Sequence, residues 1–206
     1  MKKHKFAECF KTAVLAMNKE AVLRAYKGET SWHKFMGKPL REAYNKKMGL
    51  RFVPGPESYR PESDKIDHAF CSGRACAFAF TDKTRWYPER LELLAEVENG
   101  PWPEKEIWKL AHWRSPVKSL FIDETLARKR EGRKCLKSKL RAFSEFLEKV
   151  NKHHAEESST RYFIFVTDRP QPMGDLRWHV YVLKPDGSRK PVDCFSLTGS
   201  AKTAFV

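Results

Sequence analysis

No run of 18 apolar residues occurs in the 206-residue chain, so a membrane-spanning helix is not expected. The opening, Met1-Lys2-Lys3-His4-Lys5, is basic like a secretory leader. Glu8, Lys11 and Lys19 then interrupt the apolar residues after it, and no clean hydrophobic segment for export results. Cysteine is sparse and unpatterned: Cys9, Cys71, Cys76, Cys135 and Cys194 are odd in number, form no Cys-x-x-Cys and pair with no His-x3-His. Neither a disulfide framework nor a zinc site is indicated. The thiols read as small buried hydrophobes in a reducing compartment, which sets the expected location as cytoplasmic. Internal repeats and low-complexity tracts are also missing. The last shortage is acid: 26 Asp and Glu face 40 Lys and Arg, for a formal charge of +14. A surface this basic attracts polyanions, of which nucleic acid is the commonest. Acidic membrane is the other polyanion, but without an anchoring segment no membrane partner is expected.

Enough is present to fold. Hydrophobic residues make up 41% and aromatics 13%, and the length suits one compact domain. Residues 8–26 read as a helix, with Phe10, Val14, Met17 and Ala21 at helical spacing and Gly28 as a stop. A second helix is expected over 31–48, broken at Gly37-Lys38-Pro39. Residues 1–51 carry 13 Lys and Arg against 4 Glu, a basic layer suited to a phosphate backbone or simply a solvated face. We place that helical layer at 1–53 and the remaining core at 54–206, starting with a Pro-Gly loop.

Strands come next. Residues 65–71 and 74–80 flank Ser72-Gly73 and read as a hairpin; 90–98 and 117–122 read as further strands, with a helix over 104–113 between them. The stretch 124–152 is helical, interrupted or begun at Gly132, with Leu136, Leu140, Phe143, Leu147 and Val150 as its apolar stripe. Residues 161–167 are the clearest buried strand. A last hairpin, 176–183 and 190–195, turns at Pro185-Asp186-Gly187. The expected fold is therefore α/β: a mixed sheet of about five to seven strands flanked by helices.

One strand concentrates the chemistry. In Leu91-Glu92-Leu93-Leu94-Ala95-Glu96-Val97-Glu98, alternation puts Leu91, Leu93, Ala95 and Val97 on one face and Glu96 and Glu98 on the other. The two carboxylates sit roughly 6.5–7 Å apart at Cα, close enough to share divalent metal. Alone, the pair fits a solvated acidic face better than a metal site. Asp67 changes the balance, because it lies in the 65–71 strand and meets Glu96 if the two strands are neighbours. Three converging carboxylates repel one another unless a cation joins them, and oxygen-only ligands favour Mg²⁺ or Mn²⁺ over zinc.

Asp67, then Glu96-Val97-Glu98 on a strand, Trp108-Lys109-Leu110 on a helix and Val117 to Ile122 as the next strand together resemble the PD-(D/E)XK nuclease superfamily. The superfamily's core order (helix, three strands, helix, strand) corresponds here to about residues 31–122. The resemblance implies a restriction-endonuclease-like core and metal-dependent hydrolysis of phosphodiester bonds, in double-stranded DNA more than in RNA. Asp67, Glu96 and the backbone carbonyl of Val97 would hold Mg²⁺, with Mn²⁺ able to substitute. Glu98 stands where the family usually has Lys, and Lys109, one helix later, would supply that positive charge. Asp82 is an alternative first ligand and Glu42 an accessory carboxylate. A homodimer is expected by analogy only. Arg128, Lys129, Arg130, Arg133, Lys134 and Lys137 lie in a stretch, 128–152, with 10 Lys and Arg against 3 Glu, and are the expected nucleic-acid contacts. The alternative is a protein that binds nucleic acid on the same fold without cutting it, which Glu98 in place of Lys permits.

Overall fold

Two short helices, α1 (Lys5–Leu15) and α2 (Lys19–Ala25), stand where one helix over 8–26 is expected. The cause is Asn18. Its backbone is extended (φ −63°, ψ 119°) and its side-chain oxygen accepts the Ala21 amide at 3.0 Å, which caps and restarts the helix. The restart shifts the phase, so Val22 is buried and Ala21 exposed. The structure, a computed structural model of the chain, describes residues 5–26, 49, 51–53, 68–71, 75–80, 83–88, 91–98, 104–123, 135–154, 159–168 and 175–197. The second helix expected over 31–48 lies outside them.

The strands are β1 (Arg51–Val53), β2 (His68–Cys71), β3 (Ala75–Phe80), β4 (Lys83–Pro88), β5 (Leu91–Glu98), β6 (Val117–Asp123), β7 (Arg161–Asp168), β8 (Arg177–Leu183) and β9 (Arg189–Ser196). Seven of them form one mixed sheet in the order β1-β2-β5-β6-β7-β8-β9, and β3 and β4 pair as a separate hairpin. The expected pairing of 65–71 with 74–80 is therefore wrong. β2 has β1 on one edge and β5 on the other, both antiparallel, so it has no free ladder for β3. β3 pairs instead with β4 across two residues.

β5, β6 and β7 are parallel and central. Parallel strands are covered on both faces and read as nearly continuous apolar runs. All seven residues of β6 are buried, as are seven of the eight in β7. The crossovers run through α3 (Glu104–His112) and α4 (Cys135–His154). Ile107, Leu110 and Ala111 of α3 and Leu140, Phe143 and Leu147 of α4 pack in one cluster with Leu94, Leu120, Ile122, Tyr162, Ile164 and Val166. Both helices thus cover one face, as successive crossovers of one hand along a sheet require.

The opposite face belongs to α1 and α2. Phe6 and Phe10 descend onto Phe121, Phe163 and Phe165, with Phe10 centred 4.8 Å from Phe165 and 4.9 Å from Phe121. Leu93, Ala95 and Val97 join this side, as the alternation predicts. Leu91 does not, and packs with the α3/α4 cluster. An irregularity between Phe70 and Cys71 pairs Cys71 with Leu91 rather than Glu92, which turns the start of β5 out of phase. The result is a three-layer α/β arrangement, with Leu94 and Glu96, beyond that irregularity, directed towards α3 and α4.

Candidate functional site

Glu96 takes that inward direction, so its carboxylate is carried into the sheet–helix layer. It is 0% exposed, which overturns the reading of β5 as a wet acidic strand. A lone buried carboxylate is too costly to stay ionised. Its compensation comes from α3, where Lys109 Nζ donates to Glu96 Oε2 at 2.9 Å. Lys109 is itself buried, and one turn earlier on α3 Glu106 forms a second ion pair with the same ammonium. Burial alone would lower the Lys109 pKa. The Glu96 charge, then the bonds to Glu106 and Glu96, outweigh it, and the pKa is raised, so the ammonium stays charged. One Lys thus lies between two Glu, with Glu96 and Lys109 buried and Glu106 partly exposed.

The route to this geometry is local. α3 begins with Glu104 and Glu106 in its first turn and has Lys109 and His112 in its last, matching the helix dipole. Its apolar residues Ile107, Leu110 and Ala111 dock it on the sheet, and docking aims Lys109 at β5. Lys109 is thus brought to Glu96 across 13 residues of sequence. Sequence reasoning misses Glu106, although its i,i+3 spacing from Lys109 is the pattern of a helical ion pair.

A second buried lysine shares the face. In the parallel register Glu96 pairs with Leu120 and Leu94 with Lys118, so Lys118 sits one inward-facing position earlier in the neighbouring strand. It is 0% exposed, its Nζ donates to the Tyr162 hydroxyl at 3.0 Å, and burial lowers its pKa to about 7. Burial raises the Tyr162 pKa. Lys in a strand pattern reads as an outward residue. Only the central position of β6, covered on both faces, turns it inward.

Glu98 is the next inward-facing position after Glu96 and is half-buried. Val97 points its side chain to the α1 face, among the buried apolar residues. β2 runs beside β5 with His68 opposite Ala95, the residue before Glu96. Asp67, Asp82 and Glu42 lie outside the described residues, as do Arg128, Lys129, Arg130, Arg133 and Lys134 and the side chain of Lys137. Along the rest of α4 the positive face expected from composition is tempered. Lys139 is buried, and Arg141 and Lys152 pair with Glu145 (2.7 Å) and Glu148 (3.3 Å).

Among the described residues no group of three or more His, Cys, Asp or Glu side chains is placed to hold a metal ion. The donors around Lys109 are carboxylate oxygens, which suit a hard cation such as Mg²⁺ or Mn²⁺. Within the described residues this set is partial, since Lys109 already engages Oε2 of Glu96. Elsewhere, Tyr26 donates to Asp123 Oδ1 at 2.8 Å at the carboxyl end of β6, and His179 Nδ1 lies 3.6 Å from the Cys194 thiol. Burial, above all, raises that thiol's pKa, which disfavours the nucleophilic thiolate. No described helix is long and apolar enough to cross a membrane.

Comparison with protein-family models, curated proteins and solved structures returned no match.

Proposed function

We propose that the chain is a Mg²⁺-dependent nuclease of the restriction-endonuclease-like type, hydrolysing phosphodiester bonds in DNA, with Glu96 and Lys109 at its centre. The observation that carries this reading is the 2.9 Å bond from Lys109 Nζ to Glu96 Oε2, made by the helix that comes after the acidic strand. A lysine supplied from there answers the departure at Glu98. The topology supports the same reading: β1, β2 and β5 are neighbouring strands of one sheet, and α3 and the parallel β6 come after them, with the β3–β4 hairpin inserted between the second and third strands. His68 stands opposite Ala95, the residue before Glu96, so β2 runs beside the proposed centre.

In this reading Asp67 and Glu96 hold the divalent ion, with the Val97 carbonyl as a further donor. The ion, when bound, lowers the pKa of an attacking water and stabilises charge on the scissile phosphate. The chain's own contribution is electrostatic. Lys109 compensates the buried Glu96 carboxylate and keeps an ammonium near the centre, where it offsets negative charge as the bond breaks. Glu106 holds Lys109 in place. The surplus of basic residues in the chain, +14 overall, draws the polyanion to the surface.

The test is incubation of plasmid, single-stranded DNA and RNA with Mg²⁺ or Mn²⁺ and with EDTA. Cutting of DNA that EDTA abolishes supports the assignment; no cutting with either ion overturns it. One observation favours a second reading, of a non-cutting nucleic-acid-binding protein. Glu96 is wholly buried with Oε2 already taken by Lys109, and Glu98 replaces the usual lysine. That reading expects salt-dependent binding with no product under any metal. A homodimer is part of the proposal by analogy, and sedimentation tests it.

A further inference from the structure

Six tryptophans are present in the chain, and the sequence does not distinguish the one that meets a ligand. Of the three tryptophans whose side chains the structure describes, one is exposed. Trp178 is 0% exposed and Trp113 packs against the α3/α4 cluster, whereas Trp108 is 45% exposed on α3. An indole in water is a large unsatisfied apolar surface, and stacking is the contact its flat face favours.

Its setting is built. His112, one turn on, lies with its ring centroid 4.3 Å from the Trp108 ring at an interplanar angle of 36°. The His112 Nδ1 to Trp108 carbonyl contact at 2.8 Å fixes the imidazole in that position. With Nδ1–H donating to the carbonyl, the imidazole's other nitrogen is a further polar atom beside the indole. Lys105 is exposed three residues before Trp108, and Arg114 is exposed just beyond the helix end. Glu104, four residues before Trp108, is the exposed acid of the same helix, so a polyanion is repelled there and favoured towards Arg114. The next residue after Trp108 is Lys109, which turns inward to Glu96. Trp108 and Lys109 are consecutive on α3, but Trp108 is exposed and Lys109 buried, so the platform and the candidate centre lie on different sides of one helix.

The geometry points to Trp108 and His112 as a stacking platform for an unpaired nucleobase, which gives the protein a preference for single-stranded or locally opened nucleic acid. The inference rests on the proposed nucleic-acid function and deepens it by naming the substrate form. Aromatic faces stack on any base, and duplex bases are already stacked on one another, so the platform acts where a base is free. The net positive charge supplies the phosphate attraction and argues for a nucleic acid over an apolar protein partner.

The experiment measures binding in EDTA, so that no strand is cut, by fluorescence anisotropy. The probes are labelled oligothymidylate, an abasic oligonucleotide of the same length and a blunt duplex. The unaltered protein is expected to bind oligothymidylate more tightly than the abasic strand. Trp108→Ala should weaken oligothymidylate binding by roughly 5- to 100-fold, erase that difference and leave duplex affinity unchanged, with Trp108→Phe recovering part of the loss. Equal affinity of the unaltered protein for oligothymidylate and abasic strand overturns the platform while leaving the nuclease reading intact. Loss of duplex and single-strand binding in equal measure in Trp108→Ala overturns it too, since that is a general phosphate contact. Failure to bind any of the three defeats the nucleic-acid reading itself and the platform with it. A change of sedimentation coefficient in Trp108→Ala, with all three affinities unchanged, assigns the patch to contact between protein chains and overturns the proposal.

Discussion

Replacing Lys118 by Met should make the protein more stable, by an amount that shrinks as pH rises. Lys118 is wholly buried between β5 and β7 and bonds the Tyr162 hydroxyl at 3.0 Å, and its pKa falls from 10.5 to about 7. That displacement, about 3.5 units, corresponds to about 5 kcal/mol of difference between charged and neutral amine. Between about pH 7 and 10.5 the unfolded chain binds a proton that the folded chain does not, so stability rises with pH at up to about 1.4 kcal/mol per unit. Below about pH 7 both states are charged and the full cost is present; above about 10.5 both are neutral and it vanishes. Met has similar length and no titration. It also leaves the Tyr162 hydroxyl with one partner fewer, at a cost of about 1–3 kcal/mol. Relative to the variant, the unaltered protein should gain about 2–3 kcal/mol between about pH 7.5 and 9.5. Urea denaturation followed by circular dichroism at those two pH values, compared as a difference between the proteins, cancels the other titrating groups. A difference that stays flat across the window would refute the reasoning, because Lys118 would then remain charged when folded.

Lys109→Met should destabilise the protein by about 3–5 kcal/mol, because it strands the buried Glu96 charge. Adding Glu96→Gln should recover part of that loss, and strictly additive costs in urea melts would show that the two residues are not coupled. Phe10→Ala, which removes a ring packed on Phe121 and Phe165, should cost about 3–5 kcal/mol by the same melts. Leu15→Ala, at an exposed position, should change stability by less than about 1 kcal/mol. Gly187→Ala should cost more than about 1 kcal/mol, since Gly187 has φ +77° and an added Cβ would lie 3.0 Å from the Ser144 carbonyl oxygen. An unchanged melting temperature in that variant would contradict the close approach of the β8–β9 turn to α4.

The part of the fold legible in the sequence is the part governed by short-range pattern. The parallel strands β6 and β7, α3, and the β8–β9 hairpin with its Pro185-Asp186-Gly187 turn all arise from apolar runs, helical spacing and turn residues. Asn18 shows where pattern fails. The apolar spacing runs on through residue 21, but one side-chain cap breaks the helix and resets its phase. β1 and β4 are hard to read for another reason: three residues are too few for alternation, and Lys83-Thr84-Arg85-Trp86-Tyr87-Pro88 ends in a proline. The β2–β3 hairpin misleads because a plausible turn at Ser72-Gly73 says nothing about which edges are already occupied. At the candidate site, Glu96 and Lys109 both stand out in the sequence, but their burial and direct contact are tertiary facts. Glu106 is visible there only as one half of a helical pair. Lys118 has no signal of its own, because its direction depends on β6 being covered on both faces.

The most direct test of the Glu96–Lys109 centre is the rate at which a labelled DNA duplex with an unpaired stretch is cut in Mg²⁺ by the unaltered protein and by Glu96→Gln. Gln keeps the size of the side chain and an oxygen for Lys109 while removing the charge, so the variant folds with less disturbance than Ala would cause. The account predicts cleavage by the unaltered protein and a loss of about 100-fold or more in the variant, with matching circular dichroism spectra. Equal rates in the two proteins would contradict it.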